Sequence, residues 1–243
     1  MRYSALLNEK TALIAGDGGP LRRAVAALFA AQGARVALLG GADDTSVPGC
    51  PLFAAEASDG EGMERAGQAA LAHLGHIDVV VTVFAAHHPA LAADGDEADA
   101  WNALARGPEA VLRTVQLAAA GMMERRHGAF VHVLPVYARY VVPGVSATAA
   151  GSGAVAALSK AIAMDYCKFD VRSNCLLYSA SFLDDEHPDA FWAETQVLPR
   201  RLGAEEVANA ALYLASDMAK HVTGETLTAD GGTTLIAHKQ VYP

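Results

Sequence analysis

Short apolar runs rich in β-branched residues alternate with longer helical stretches along almost the whole chain, and this rhythm limits the fold more than any other feature. TALIA (11–15), RVALL (35–39), PLFAA (51–55), IDVVVTVFA (77–85), AFVHVLP (129–135), RSNCLLY (172–178) and TLTAD (226–230) read as strands. Between them the spacing predicts helices over 24–31, 62–73, 109–123, 147–165 and 204–215. Elements alternating in this way build a parallel sheet covered by helices on both faces. The expected class is therefore α/β, doubly wound, with all 243 residues in one domain. The least regular stretch, 179–201, is charged and aromatic and follows a strand C-terminus, where open α/β sheets bind ligands; it reads as a lid or interface segment.

Acidic residues number 27 against 18 Lys and Arg, and the basic ones are scattered, with pairs only at 22–23, 125–126 and 200–201. Nucleic acid is thus not an expected partner. Cys50, Cys167 and Cys175 lack metal-ligand spacing, and their odd number fits reduced thiols in the cytoplasm. No export signal and no run of about 18 apolar residues is evident, so no membrane span is expected. No metal site is expected either: the adjacent His87 and His88 would not converge on one ion.

The segment RLGAEEVANAALYLASDMAKHVTGETLTADGG (201–232) resembles the final helix, turn and strand of the short-chain dehydrogenases/reductases, with Gly224 and the Asp230–Gly231–Gly232 turn in place. AGDGGPLRR, the IDVVV strand, Trp101, HGAFVHV, SKAIAMDY and Asn174 follow in the family's order, so the resemblance spans essentially the whole chain. It implies a Rossmann-like fold, and it makes the departures informative.

In the family a Gly-x-x-x-Gly-x-Gly loop lets backbone amides approach the pyrophosphate of NAD or NADP. Here the three positions read Gly16, Pro20 and Arg22. Proline has no N–H to donate, although it suits the first position of a helix, and Arg22 fills space that glycine leaves open. Asp17 adds negative charge to a phosphate loop, while Arg22 or Arg23 could in principle pair with phosphate. After the second strand, where relatives offer an acidic residue or Arg to the ribose, stand Gly40 and Gly41; Glu56 is a candidate beside the adenine. Phe84 takes a place where relatives have a small residue, and Tyr178–Ser179 replaces the usual Pro-Gly after the sixth strand.

The resemblance also assigns the chemistry. The family uses Tyr as proton donor or acceptor, Lys four residues later, a Ser that polarises the carbonyl and an upstream Asn. These positions register at Thr148, Ser152, Pro135 and Gly107 or Pro108. None carries the family's group. Tyr137, Tyr140 and His132 are near enough in sequence to be considered for replacement chemistry, as are Asp184 and His187.

The expected function is a non-catalytic subunit that pairs with an active short-chain dehydrogenase, most simply two copies of each, with NAD held by the partner and none by this chain. The family includes such heteromers, among them a dehydrogenase of anaerobic toluene degradation acting on a hydroxyacyl-CoA ester, and the chain resembles an inactive subunit of that kind. The alternatives are a cofactor-independent lyase or isomerase using Tyr137 or Tyr140, and a ligand sensor with weak dinucleotide affinity. Interfaces are expected on the long helices, through Ala149, Ala150, Gly153, Ala156 and Ala157, and on the last helix, through Ala208, Ala211 and Leu212.

Overall fold

The computed structural model describes residues 5–17, 19–41, 47–56, 59–84, 97–179 and 197–235. Seven parallel strands form one sheet: β1 (Thr11–Gly16), β2 (Arg35–Gly40), β3 (Leu52–Ala54), β4 (Val79–Val83), β5 (Gly128–Pro135), β6 (Val171–Tyr178) and β7 (Thr226–Ala229). Their spatial order is β3-β2-β1-β4-β5-β6-β7. The central strands are buried along both faces, which is why they read as continuous apolar runs without alternation.

Helices α1 (Pro20–Ala31) and α5 (Ala204–Ala215) cover one face, around Val25, Phe29, Val207 and Ala211. Helices α2 (Gly60–Leu74), α3 (Glu97–Arg125) and α4 (Ser146–Tyr166) cover the other, around Leu74, Val111, Phe130 and Val155. The ends follow local chemistry. Asp59 accepts from Gly62 N at 2.9 Å to cap α2, and Glu206 reaches back to Gly203 N at 2.9 Å to close α5.

Helix α3 begins at Glu97, twelve residues before the expected start, because Gly107 and Pro108 sit inside it without ending it. Pro108 cannot donate to the carbonyl of Leu104 one turn earlier. That carbonyl faces Gly151 of α4, where a Cβ would fall 2.8 Å from the oxygen. Glycine at this position lets the two long helices pack closely across the kink-prone turn.

Helix α4 with the short turn that follows it (Ser146–Phe169) is long and apolar enough to cross a membrane by length and composition, yet only a third of its most apolar window is buried. Its inner face, including Ser152, Val155, Ser159 and Ile162, packs on α3 and the sheet, while Ala150, Ala157 and Met164 are exposed. The last helix differs from the expectation. Ala208, Ala211 and Leu212 are buried against α1 and the sheet, because they lie on the stripe that must cover the strands. Among α5's outward residues are Glu205 and Asn209. All three cysteines are free thiols.

Candidate functional site

The strand order reverses beside β1, whose neighbours are β2 and β4, so the loops after β1 and β4 part there and open a crevice at the C-terminal edge of the sheet. Gly16 ends β1 with φ 112° and lies so close to β4 that a Cβ would meet Val83 O at 2.2 Å. Only glycine fits. Pro20 then occupies the first turn of α1, behind Gly19 at φ 97°, a position where its missing N–H costs the helix nothing.

Arg22 is wholly buried. Its Nη1 donates to Gly16 O at 3.2 Å and its Nη2 to Gly41 O at 3.3 Å, tying the loop after β1 to the loop after β2. Gly40 is held in the same knot, at φ 141°, with a Cβ position 2.4 Å from Gly16 O and 3.0 Å from Arg22 Nη1. No acidic side chain can therefore stand at the end of β2. Arg23 points outward and is exposed.

A second tie spans the other end of the crevice. Tyr178, fully buried at the end of β6, donates its hydroxyl to Phe84 O at 2.9 Å, so a phenol bridges the ends of β6 and β4 across β5. Phe84 is half-buried and packs against the α2–α4 face.

Gly107, Pro135, Thr148 and Ser152 come together, as the resemblance implied. All four line one hollow of about 30 Å³ between α3, α4 and the end of β5. That volume admits water and nothing much larger. No ionisable side chain stands at any of the four positions; the charged residues at the rim are Asp17 and Arg106, which pair with each other at 3.0 Å.

Neither Tyr137 nor Tyr140 lines this hollow or the larger cavity beside it. His132 does not reach either. It lies inside the sheet–α4 layer, bonded through Nδ1 to Thr82 Oγ1 at 2.8 Å and through Nε2 to Ser173 Oγ at 3.3 Å, and burial pushes its pKa down to about 3. Asp184, His187, His87, His88 and most of the 179–201 segment lie outside the described residues.

The larger cavity, about 450 Å³, opens on the other side of the Asp17–Arg106 pair, between α2, α3 and the ends of β1 and β2. Leu39, Gly67 and Leu117 help form its apolar floor, and Glu56 sits in its wall.

Residues 21–234 match the family model described as enoyl-(acyl carrier protein) reductase. The Nodulation protein G of Rhizobium sp. (strain N33) is 30% identical over 95% of this chain and 99% of its own. The chain belongs to the short-chain dehydrogenase/reductase family. The 3-oxoacyl-[acyl-carrier-protein] reductase FabG of Chlamydia trachomatis is 25% identical over 94% of this chain and 99% of its own. A gluconate 5-dehydrogenase from Burkholderia cenocepacia J2315, solved in complex with NADP and tartrate, shares the fold with a TM-score of 0.86 at 23% identity, covering 98% of this chain and 100% of that one.

The C-terminal signature that marks this member of the family is a set of structural devices. Asn174 holds the loop before β7 with both ends of its amide, donating to Val222 O at 2.9 Å and accepting from Glu225 N at 3.0 Å. Gly224, at φ 75°, donates to Ser173 O at 2.7 Å. The Asp230 carboxylate accepts from Gly232 N and Thr234 N, each at 2.9 Å. These residues shape the turn around β7 without touching either cavity. The two crevice ties, Arg22 and Tyr178, were only half legible: both substitutions stood out, but their partners are backbone carbonyls, which leave no mark in a sequence.

Proposed function

We propose that this chain is a non-catalytic subunit of a short-chain dehydrogenase assembly, working in the cytoplasm beside an active member of the family that holds NAD. The observation that carries the reading is the 30 Å³ hollow, where the four positions that do the family's chemistry meet and none offers a proton-transferring group. With Ser152 at the family's Lys position and Arg106 at the rim paired with Asp17, the Thr148 hydroxyl is a poor general acid or base at neutral pH, and such catalysis is worth about 10²–10⁴-fold.

The dinucleotide does not fit the crevice. Arg22 engages the carbonyls of Gly16 and Gly41, Gly40 excludes an acidic ribose partner, Pro20 withholds an amide, and the Tyr178–Phe84 tie crosses the nicotinamide side. Installing Thr148→Tyr with Ser152→Lys is expected to leave hydride transfer undetectable and NAD and NADP unbound in calorimetry. Micromolar binding, near about −8 kcal/mol, or turnover by the pure double variant would contradict the reading.

The partner surface is the α3–α4 face. Leu112 and Met164 are exposed there, at 46% and 74%, beside Ala150 and Ala157, and a Cβ on Gly153 would meet open space. A partner helix can approach such a surface closely. The active partner would oxidise a hydroxyacyl substrate, the class to which the 3-oxoacyl reductase relatives and the resemblance to the toluene-pathway heteromer both point, with a CoA ester as its carrier form. In the simplest assembly two copies of each chain combine, and the 179–201 segment shapes the partner's substrate entrance. Co-expression with a neighbouring intact short-chain dehydrogenase followed by native mass spectrometry tests this. The expected result is a 2+2 complex and a partner that loses stability alone; a partner equally stable and active without this chain would remove the proposal.

A further inference from the structure

The two hollows at the sheet edge meet at one contact. Three residues line both of them, Asp17, Phe84 and Arg106, and Arg106 Nη2 donates to Asp17 Oδ1 at 3.0 Å on the boundary between them. A path along the crevice, from Glu56 in the wall of the larger cavity to Thr148 in the smaller hollow, runs through this pair. The Arg22 and Tyr178 ties are buried and bond to backbone carbonyls. The Asp17–Arg106 pair differs: its side chains are 23% and 44% exposed, and an ion pair so placed holds weakly.

The two halves of the pair stand on unequal supports. Asp17 follows β1 directly, and its N–H donates to Val83 O of β4 at 2.9 Å, so the acidic half is fixed to the centre of the sheet. Arg106 lies in the turn of α3 between Leu104 and Pro108, where the proline leaves Leu104 O without its helical donor and makes a place of bending. Burial divides α3 at the same point. Beyond Pro108, Val111, Val115, Ala118 and Met122 are buried, whereas none of residues 98–107 is, and Trp101 is 61% exposed. A helix end with few buried contacts opens at small cost.

We propose that Asp17 and Arg106 form a strap that closes the crevice between its two hollows, and that the first part of α3, residues 98–107 hinged at Pro108, is the element the strap holds down. Its place in function rests on the proposed reading of this chain as a subunit that holds no dinucleotide: the two buried ties are permanent, and the strap is a third that can open. Opening joins the hollows, and ionic strength sets how often it occurs.

Hydrogen exchange of the full chain, read by mass spectrometry on peptides covering 98–107, tests the strap. Asp17→Ala and Arg106→Met should each speed exchange there by about threefold, the order expected of a partly exposed ion pair. Methionine keeps the aliphatic stem and the helix propensity of arginine. The double variant should be no faster than the faster single, because both remove one interaction. Raising the ionic strength from about 0.01 M to about 1 M should speed exchange in the wild-type chain more than in either variant. Peptides from α5 should stay unchanged throughout, which separates opening of the strap from loss of the fold; should Asp17→Ala loosen α5 as well, Arg106→Met and the salt response of the wild-type chain carry the same test. Unchanged exchange over 98–107 in Arg106→Met, multiplied effects in the double variant, or an equal salt response with and without the pair would each overturn the proposal. NAD binding by Arg106→Met in calorimetry, absent from the wild-type chain, would support the strap and count instead against the non-catalytic reading.

Discussion

Restoring glycine at position 22, the residue the family's phosphate loop carries there, is expected to destabilise this chain by about 3–5 kcal/mol, the range of a large-to-small core substitution with unsatisfied polar groups left behind. In a dinucleotide-binding relative the same position needs glycine so that backbone and cofactor can approach. Here the volume is filled from within: the Arg22 side chain is fully buried and spans from Gly16 O to Gly41 O. Truncation empties that volume and strips two partly buried carbonyls of their donors at once. Arg23→Gly is the control, since Arg23 is exposed on the same turn and its loss should cost only the helix-propensity penalty of about 1 kcal/mol. Urea unfolding of both variants, compared at unchanged m-value, reads the difference. Equal midpoints for the two variants would mean that the Arg22 knot holds nothing together.

The contrast between those neighbouring arginines shows what a sequence can and cannot display. The strand and helix order was legible because the buried strands are unbroken apolar runs and the helices carry apolar stripes, a pattern imposed by burial itself. The convergence of Gly107, Pro135, Thr148 and Ser152 was legible through family register, and they do share one hollow. The early start of α3 was not, because Gly107–Pro108 is a breaker signal that packing against Gly151 overrides. The last-helix stripe was legible as apolar but misread as outward-facing: periodicity gives a stripe's existence and leaves open whether sheet or partner covers it. The 450 Å³ cavity was partly legible through the same register: Gly16, Asp17, Gly40, Gly41, Glu56 and Phe84, all singled out in the sequence, line it, whereas the α2 and α3 residues that complete it, among them Gly67 and Leu117, carried no mark.

Acid is expected to weaken this fold in a way traceable to one residue, His132. Its strand β5 runs between β4 and β6, and the imidazole is locked between Thr82 and Ser173, with Ser173 in turn bonded to Ser159 of α4 at 2.8 Å. Neutral imidazole supplies one donor and one acceptor, which the flanking hydroxyls match by rotating; a second ring proton would put a charge in a layer that offers it no carboxylate. Burial accordingly pushes the pKa down to about 3 from 6.5. The sign follows from which state binds the proton first. Above the unfolded pKa of 6.5 both states are neutral and His132 contributes its full stability. As pH falls below that value the unfolded chain takes up a proton that the native state refuses until about pH 3, so stability declines across this window by about 1.4 kcal/mol per pH unit. Between neutral pH and about pH 5 the loss from this residue alone is of order 2 kcal/mol. Carboxylates and other histidines titrate in the same range, so the measurement is a difference: urea midpoints of the wild-type chain and of His132→Gln, which keeps a donor and an acceptor but cannot ionise. The Gln variant is expected to start less stable at neutral pH and to lose less on acidification, so that the gap between the two closes. Parallel curves down to about pH 4 would show that the native state accommodates the imidazolium and that the buried hydroxyl–imidazole layer is looser than its distances imply.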